Sequence, residues 1–348
     1  MTAPTLDAVH AAERAGLVTV RPHPSLPLVV VNYTDRCTYE RAWSDLTLQC
    51  RGLVLHSETG EVVARGFDKF FNLGEPGAFE PPAREAPIMT VKHDGSLGIG
   101  FEFDGATVWT TRGAFDSPHA ADATRLWREV YSGVATPKGC SLLVEIISPV
   151  TRNVVLYDHE ALVVLGVRER DGEEWPHGEV ERWAARNGFP MTPRVLGCVA
   201  ELAARAAGMD ATAEGFVARW QGGRVKIKSA GYLAVARFLQ GINERRVADC
   251  WYAGRKDLVE HHAIADDLRD QIAEQWAALD AAAADAETQL AALVAEVRDW
   301  TRKDVALQYD RHPLFSCLMR RLGGGPADVR LHVYRGRFEG HRPRAVTS

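Results

Sequence analysis

The sequence predicts an α+β protein, with an antiparallel-sheet domain over residues 1–240 and a small all-helical domain over 241–348. Three observations carry this. Short apolar runs at Leu26–Tyr33, Ser141–Ile147 and Ala161–Arg168 recur through the first part, separated by turn-forming stretches. Glu214–Arg219 and Arg224–Lys228 flank Gln221-Gly222-Gly223, the pattern of two strands joined by a turn. Beyond Arg237 the chain has no proline until Pro313 and no glycine between Gly254 and Gly323. There Ile272, Trp276, Leu279, Ala283, Ala286, Leu290, Leu293 and Val297 recur in steps of four and three, the apolar stripe of a long helix.

The remaining elements follow in order. Residues 5–15 predict a short helix capped by Thr5, with Leu6, Val9 and Ala12 on one face. A second short helix is expected over Tyr39–Leu46 with Trp43 inward. Cys50–Leu55 reads as a strand, Ser57–Gly60 as a turn and Glu61–Arg65 as the return strand. Ile88–Val91 and Leu97–Phe101 flank Lys92-His93-Asp94-Gly95, and Asp-Gly between apolar runs predicts a hairpin. Thr107–Thr111 is another strand. His119–Tyr131, Glu179–Asn187 and Val199–Ala207 are helical by spacing.

The chain has 348 residues and a formal net charge of −5, so no global field draws it onto nucleic acid or an anionic membrane. An RNA-binding protein of this balance must concentrate its cations locally. The six cysteines form no C-x-x-C pair, which argues against zinc and for a reducing compartment. Met1–Asp7 lacks a basic flank and an apolar core, and no run is long enough to span a bilayer. A soluble cytoplasmic protein is expected, with no membrane partner.

Chemistry concentrates around Lys92. At the end of a buried strand beside a glycine, a lysine loses proton affinity to desolvation and becomes a usable amine nucleophile. The bland alternative is a solvated hairpin lysine. Glu145 interrupts the apolar run Ser141–Ile147, and a buried acid needs a partner or a ligand. Lys226 and Lys228 share one strand face, which on its own reads as an edge strand protected by charge. Arg112-Gly113 reads either as a phosphate contact or as a solvated turn.

These segments have a common pattern. Cys50-Arg51-Gly52-Leu53-Val54, Lys69-Phe70-Phe71-Asn72-Leu73-Gly74-Glu75, Lys92-His93-Asp94-Gly95-Ser96, the Glu145 strand, Glu214-Gly215-Phe216-Val217 and Lys226-Ile227-Lys228 follow in order. Together they resemble the covalent nucleotidyltransferases, and among them the ATP-dependent RNA ligases of the bacteriophage RNA ligase 1 type. Pro149–Val155 also resembles the family's glutamate segment.

The resemblance implies a nucleotidyltransferase domain, of ATP-grasp-like ligase type, in the first 240 residues. It implies that Lys92 attacks the α-phosphate of ATP, giving a lysyl-AMP and then an RNA-adenylate. Arg51 and Lys69 would touch the β- and γ-phosphates, Tyr33 another part of the nucleotide, Glu145 the ribose, and Lys226 and Lys228 the α-phosphate. Glu214 would serve magnesium, with manganese as an alternative. Tyr232 matches a family aromatic. The implied partner is RNA bearing 5′-phosphate and 3′-hydroxyl ends, a nicked tRNA among the candidates, with an end-healing kinase and phosphatase upstream. A DNA ligase, a capping guanylyltransferase and a non-catalytic nucleotide- or RNA-binding protein are the alternatives.

The C-terminal stretch carries Arg320, Arg321, Arg330, Arg335, Arg337, Arg342 and Arg344 against Asp328 and Glu339, with Tyr334 and Phe338 interleaved. It reads as a phosphate-contacting surface with stacking groups, or as a solvated tail.

Overall fold

The structure, a computed structural model, describes residues 4–81, 86–149, 153–264, 266–338 and 341–346. Residues 150–152 of the Pro149–Val155 segment, and Glu339, lie outside these. The chain divides into two compact units, Met1–Tyr232 and Leu233–Ser348. No helix among the described residues is long and apolar enough to cross a membrane.

The first unit opens with helix α1 (Leu6–Arg14), its N-terminus capped by Thr5. Strands β1 (Val18–Pro22), β2 (Leu28–Tyr33), β3 (Arg51–His56) and β4 (Val62–Ala64) then form an antiparallel sheet in chain order. The helix expected over Tyr39–Leu46 is absent. Two short helices flank that stretch, α2 (Asp35–Tyr39) and α3 (Asp45–Gln49). Thr34 caps the first and Ser44 the second, and Arg41 takes a positive φ of 53° between them. Two good caps ten residues apart set two starts, and a left-handed residue prevents one helix from running through.

Strands β5 (Ile88–Lys92), β6 (Ser96–Phe103) and β7 (Ala106–Thr111) come next, then α4 (Pro118–Val130), β8 (Cys140–Ile147), β9 (Ala161–Glu169), α5 (His177–Arg186) and α6 (Val199–Ala207). Strands β10 (Gly215–Trp220) and β11 (Gly223–Lys228) close the unit, and α7 (Ala230–Leu239) runs on across residue 232. Here the hairpin expectation fails. β5 and β6 do not pair: β5 joins the β11-β10-β5 sheet, whereas β6 lies in the β7-β6-β8-β9 sheet. The Lys92–Gly95 segment is a crossover between two sheets. Its Asp-Gly is used for close approach: a side chain on Gly95 would strike the Ile146 carbonyl and Glu145 Cγ.

The β7-β6-β8-β9 sheet buries apolar side chains on both faces. Leu142, Val144, Ile146, Leu162 and Val164 pack under Trp127 and Trp183, whereas Ile99, Phe101 and Leu143 join Val30, Val54 and Phe67 of the first sheet's side. β8 is buried at every position, so Glu145 reaches its site from inside a core strand.

The second unit is helical: α8 (Glu244–Ala253), α9 (Lys256–Val259), α10 (Asp266–Glu296), α11 (Arg302–Tyr309), α12 (Phe315–Leu322) and α13 (Val329–Arg337). Ala286 and Leu290 of the long α10, and Val297 just past its end, pack with Val305, Leu318 and Val329. The α+β order read from the sequence therefore holds. One reading of the C-terminal stretch is corrected: Tyr334 is no stacking group. It is fully buried and donates its hydroxyl to Asp249 Oδ1 at 2.6 Å, and Arg330 lies 4.9 Å over the Trp251 ring.

Candidate active site

Three strands lay out the floor of the site. Lys92 of β5, Gly215 of β10 and Lys228 of β11 lie side by side; two residues along come Thr90, Val217 and Lys226, and two further Ile88, Arg219 and Arg224. The two-residue period of a strand puts all of these on one face. The segment after Lys69 extends the floor, since Lys226 N donates to the Phe71 carbonyl at 3.0 Å and Leu73 N to the Lys226 carbonyl at 2.8 Å. This is why two motifs far apart in sequence end side by side. Arg168 fixes the same segment through two hydrogen bonds to Asp68, both 2.8 Å.

Above the floor is a cavity of about 590 Å³. Eight lysines and arginines line it against two glutamates, Glu145 and Glu214, in a chain of net charge −5. This local excess of cations suits a polyanionic ligand. Four buried polar atoms on residues of its wall have no hydrogen-bond partner: Asn32 Oδ1, Arg51 Nε, His93 Nε2 and His177 Nε2. Orphaned groups are expensive inside a protein, and their gathering here marks a place where a ligand completes the bonding.

Lys92 Nζ donates to Glu214 Oε2 at 2.6 Å, and Lys228 Nζ lies 2.8 Å from Glu214 Oε1. Burial pushes Glu214 up, but Lys92 and Lys228 outweigh it and hold the carboxyl below its ordinary range. The expectation that Lys92 loses proton affinity is corrected. Burial does act that way, but Glu214 and Glu145 outweigh it, so the Lys92 amine holds its proton more tightly than a free lysine. The weakened amine is Lys226, which burial, then Arg51, Lys69, Lys92 and Lys228, push down to about 6. Burial raises Glu145 to about 7, against the opposing pull of Lys92. Glu145 Oε1 accepts from Gly95 N at 3.0 Å.

The crossover is clamped through Asp94. Its carboxylate accepts from the Tyr232 hydroxyl and from Val155 N, both at 2.9 Å; its own N–H donates to the Tyr157 hydroxyl at 2.9 Å. Asn153 Nδ2 adds a 2.7 Å bond to the Asp94 carbonyl.

The structure thus brings Arg51, Lys92, Glu145, Glu214, Lys226 and Lys228 into one cavity, and Arg112 with them. Tyr33 and Lys69 stand behind it. Arg112 lies 5.4 Å over the Tyr33 ring, and Lys69 Nζ sits 5.1–5.4 Å from the rings of Phe71, Trp43 and Tyr33. Sequence reasoning missed Asp94, Arg219, Arg224 and His177. Arg224 had a signal, because it shares the strand face of Lys226 and Lys228. His177 had none.

Among the described residues, no three His, Cys, Asp or Glu side chains converge as a ready-made metal site. Two carboxylates beside a polyanion pocket nevertheless fit a hard divalent cation that takes its remaining oxygens from substrate phosphates.

A family model described as RNA ligase, of the T4 ligase 1 type, matches residues 49–232, which hold Arg51, Lys69, Lys92, Glu145, Glu214, Lys226 and Lys228 but not Tyr33. The chain belongs to this RNA ligase family. A provisionally named RNA ligase of Thermovibrio ammonificans is 30% identical over 181 residues, 50% of this chain and 47% of that relative. The match therefore spans about half of the relative's length. Among solved structures, an archaeal ATP-dependent RNA ligase is similar with a TM-score of 0.47 and 19% identity, over 78% of this chain and 75% of that one. An RNA ligase of Naegleria gruberi solved with pyrophosphate is similar with a TM-score of 0.33 and 19% identity, over 43% and 51%.

Proposed function

We propose that this RNA ligase family member is an ATP-dependent enzyme that joins 5′-phosphate to 3′-hydroxyl RNA ends through a lysyl-AMP on Lys92 and an RNA-adenylate. The supporting observation is that Lys92, Lys228, Lys226 and Arg51 line one cavity together with Glu145 and Glu214, within the family-matched segment.

Lys226 and Lys228 hold the α-phosphate and draw off its charge, and Arg51 takes the β- and γ-phosphates. Lys69, steadied by its three rings, adds its charge from behind. Glu145 accepts from a ribose hydroxyl. Lys92 must lose its proton before its nitrogen attacks phosphorus; Glu214, hydrogen-bonded to it at 2.6 Å, keeps that proton in place, and a nucleotide-bound cation that drew the carboxylate away would let the proton pass to solvent. The new N–P bond forms as the bond to the β-phosphate oxygen breaks and pyrophosphate leaves. A magnesium or manganese ion, held by ATP phosphates with Glu214, would neutralise the triphosphate. Transfer of AMP to the RNA 5′-phosphate and attack by the 3′-hydroxyl complete the cycle, in which positioning and charge neutralisation do most of the work.

We propose RNA repair as the setting and a cut tRNA loop as the substrate, its ends prepared by a kinase and a phosphatase. Incubation with α-phosphate-labelled ATP and magnesium should label Lys92, found by peptide mass analysis. Labelling by GTP in place of ATP would indicate capping chemistry, and absence of labelling with any divalent metal would favour a binding protein. Faster sealing of a linear strand than of a nicked tRNA would count against the tRNA assignment.

A further inference from the structure

A second cavity, of about 820 Å³, lies past the far end of the first. The two share Phe70, Ile88, His177, Arg219 and Arg224 as wall residues, so the partition between them is one layer of side chains. It stands at the last row of the floor, four residues along the strands from Lys92, or about 13 Å at a strand's rise. That is room for a ribose and a base laid end to end. Lys92, Lys226 and Lys228 line one end of the floor and Arg219 and Arg224 stand in the partition, whereas Ile88, Leu97, Leu165 and Val217 give the first cavity an apolar part. With the α-phosphate at Lys92, the base lies in that part and turns its outer edge, the one farthest from the sugar, to the partition.

The partition is polar and tied from the second cavity's side. Glu174 accepts from Arg224 at 2.8 and 3.2 Å, and Arg219 Nη2 lies 3.2 Å from Glu174 Oε2. Arg224 also lies 3.8 Å over the Phe67 ring. His177 Nε2 is buried without a hydrogen bond; its nearest carboxylate, Glu181 at 3.4 Å, is held by two bonds from Arg194. A wall with an unsatisfied nitrogen and ion-paired arginines is one that can be rearranged, unlike a wall of backbone.

We infer that the second cavity continues the nucleotide pocket past the base, so that the protein accepts adenine nucleotides bearing a bulky group on the exocyclic N6, with the Glu174–Arg219–Arg224 cluster as the gate. This rests on the first cavity being the ATP pocket.

The test uses the full chain with magnesium and two labelled probes, ATP and N6-benzyl-ATP, and reads formation of the Lys92 adduct. The expected kcat/KM for the benzyl analogue is within about tenfold of that for ATP, where a closed pocket rejects an added ring by more than about a hundredfold. Glu174→Gln frees the arginines and should raise the benzyl-to-ATP ratio about threefold or more. Labelling by ATP together with rejection of the analogue by both proteins overturns the inference alone. An unchanged ratio in Glu174→Gln overturns the gate. Labelling by neither probe overturns the ATP reading, and the inference falls with it.

Discussion

One carboxylate, Glu214, holds two amines, Lys92 at 2.6 Å and Lys228 at 2.8 Å. The nucleophile of the proposed reaction is therefore locked as an ammonium in the free protein. Its reactivity depends on what draws Glu214 away, which gives the acid two tasks: storing the lysine safely and then releasing it. Glu214→Gln should uncouple them. Without the carboxylate, burial prevails and the Lys92 amine loses proton affinity. Modification of Lys92 by an amine-reactive reagent near pH 8, followed by mass spectrometry, should be several-fold faster in the variant. RNA sealing should nevertheless fall by more than about a hundredfold, since the phosphates lose the acid's help.

Lys92→Arg keeps the positive charge and the partner Glu214, but a guanidinium does not give up its proton. The variant should fold with a melting temperature close to that of the parent and form no covalent nucleotide. Sealing from ATP should drop by at least about a thousandfold. A pre-adenylated RNA strand bypasses the lysine, so its sealing should survive in the same variant. Loss of both activities would show that Lys92 serves more than the first step.

The pair also responds to pH, with opposite signs at its two ends. Lys92 binds its proton more tightly folded than unfolded, so its contribution is full at neutral pH and is lost as pH rises through the folded value. Glu214 is held below its ordinary range, so its contribution is lost as pH falls through its folded value. Urea midpoints measured from pH 3 to 11 should narrow their gap between parent and Glu214→Gln at both extremes.

How far the site was legible follows from which contacts are local. Lys92, Glu214, Lys226 and Lys228 stood out because short motifs fix them, and strand alternation put the last two on one face. The same alternation, carried two residues back, reaches Arg224. The Asp94 clamp was invisible, since its partners Tyr157, Val155 and Tyr232 lie 61 to 138 residues away. The Asp-Gly turn misled because local preference for a hairpin competes with sheet pairing, and here Gly215 and the rest of β10 take β5. The charge state of Lys92 also needed the structure, because desolvation and two acids pull in opposite directions and only their distances decide.

That clamp is testable by itself. Tyr232→Phe removes one charge-assisted bond to Asp94 and leaves a buried carboxylate with one fewer donor. The expected loss is about 1–2 kcal/mol of stability in chemical denaturation. Adduct formation should slow about tenfold or more, because the crossover that carries Lys92 loses a tether. Tyr232→Leu should cost more in both measures. An unaltered rate in Tyr232→Phe would show that the Val155 and Tyr157 bonds suffice to hold the turn.

Lys226 gives the sharpest pH prediction. It is pushed down to about 6 by burial and by four neighbouring cations, so at pH 7.5 it is largely an uncharged amine in the free protein. Binding a triphosphate restores a counter-charge and should draw a proton onto it. Calorimetry of ATP binding in two buffers of different ionisation enthalpy should show net uptake approaching one proton at pH 7.5. Glu145, raised to about 7, also titrates near this pH, so the decisive comparison is Lys226→Met, in which most of the uptake should vanish. Below pH 6 the amine is charged before the ligand arrives and uptake should fade. Stability carries the same signature. Between about pH 6 and 10 the unfolded chain holds a proton here that the folded chain does not, so stability rises with pH in this window. Lys226→Met, which takes no proton, should therefore melt higher than the parent at pH 7, with the gap closing toward pH 10. A constant gap across that range would mean that Lys226 is charged in the folded protein and that the cavity is wetter than its burial implies.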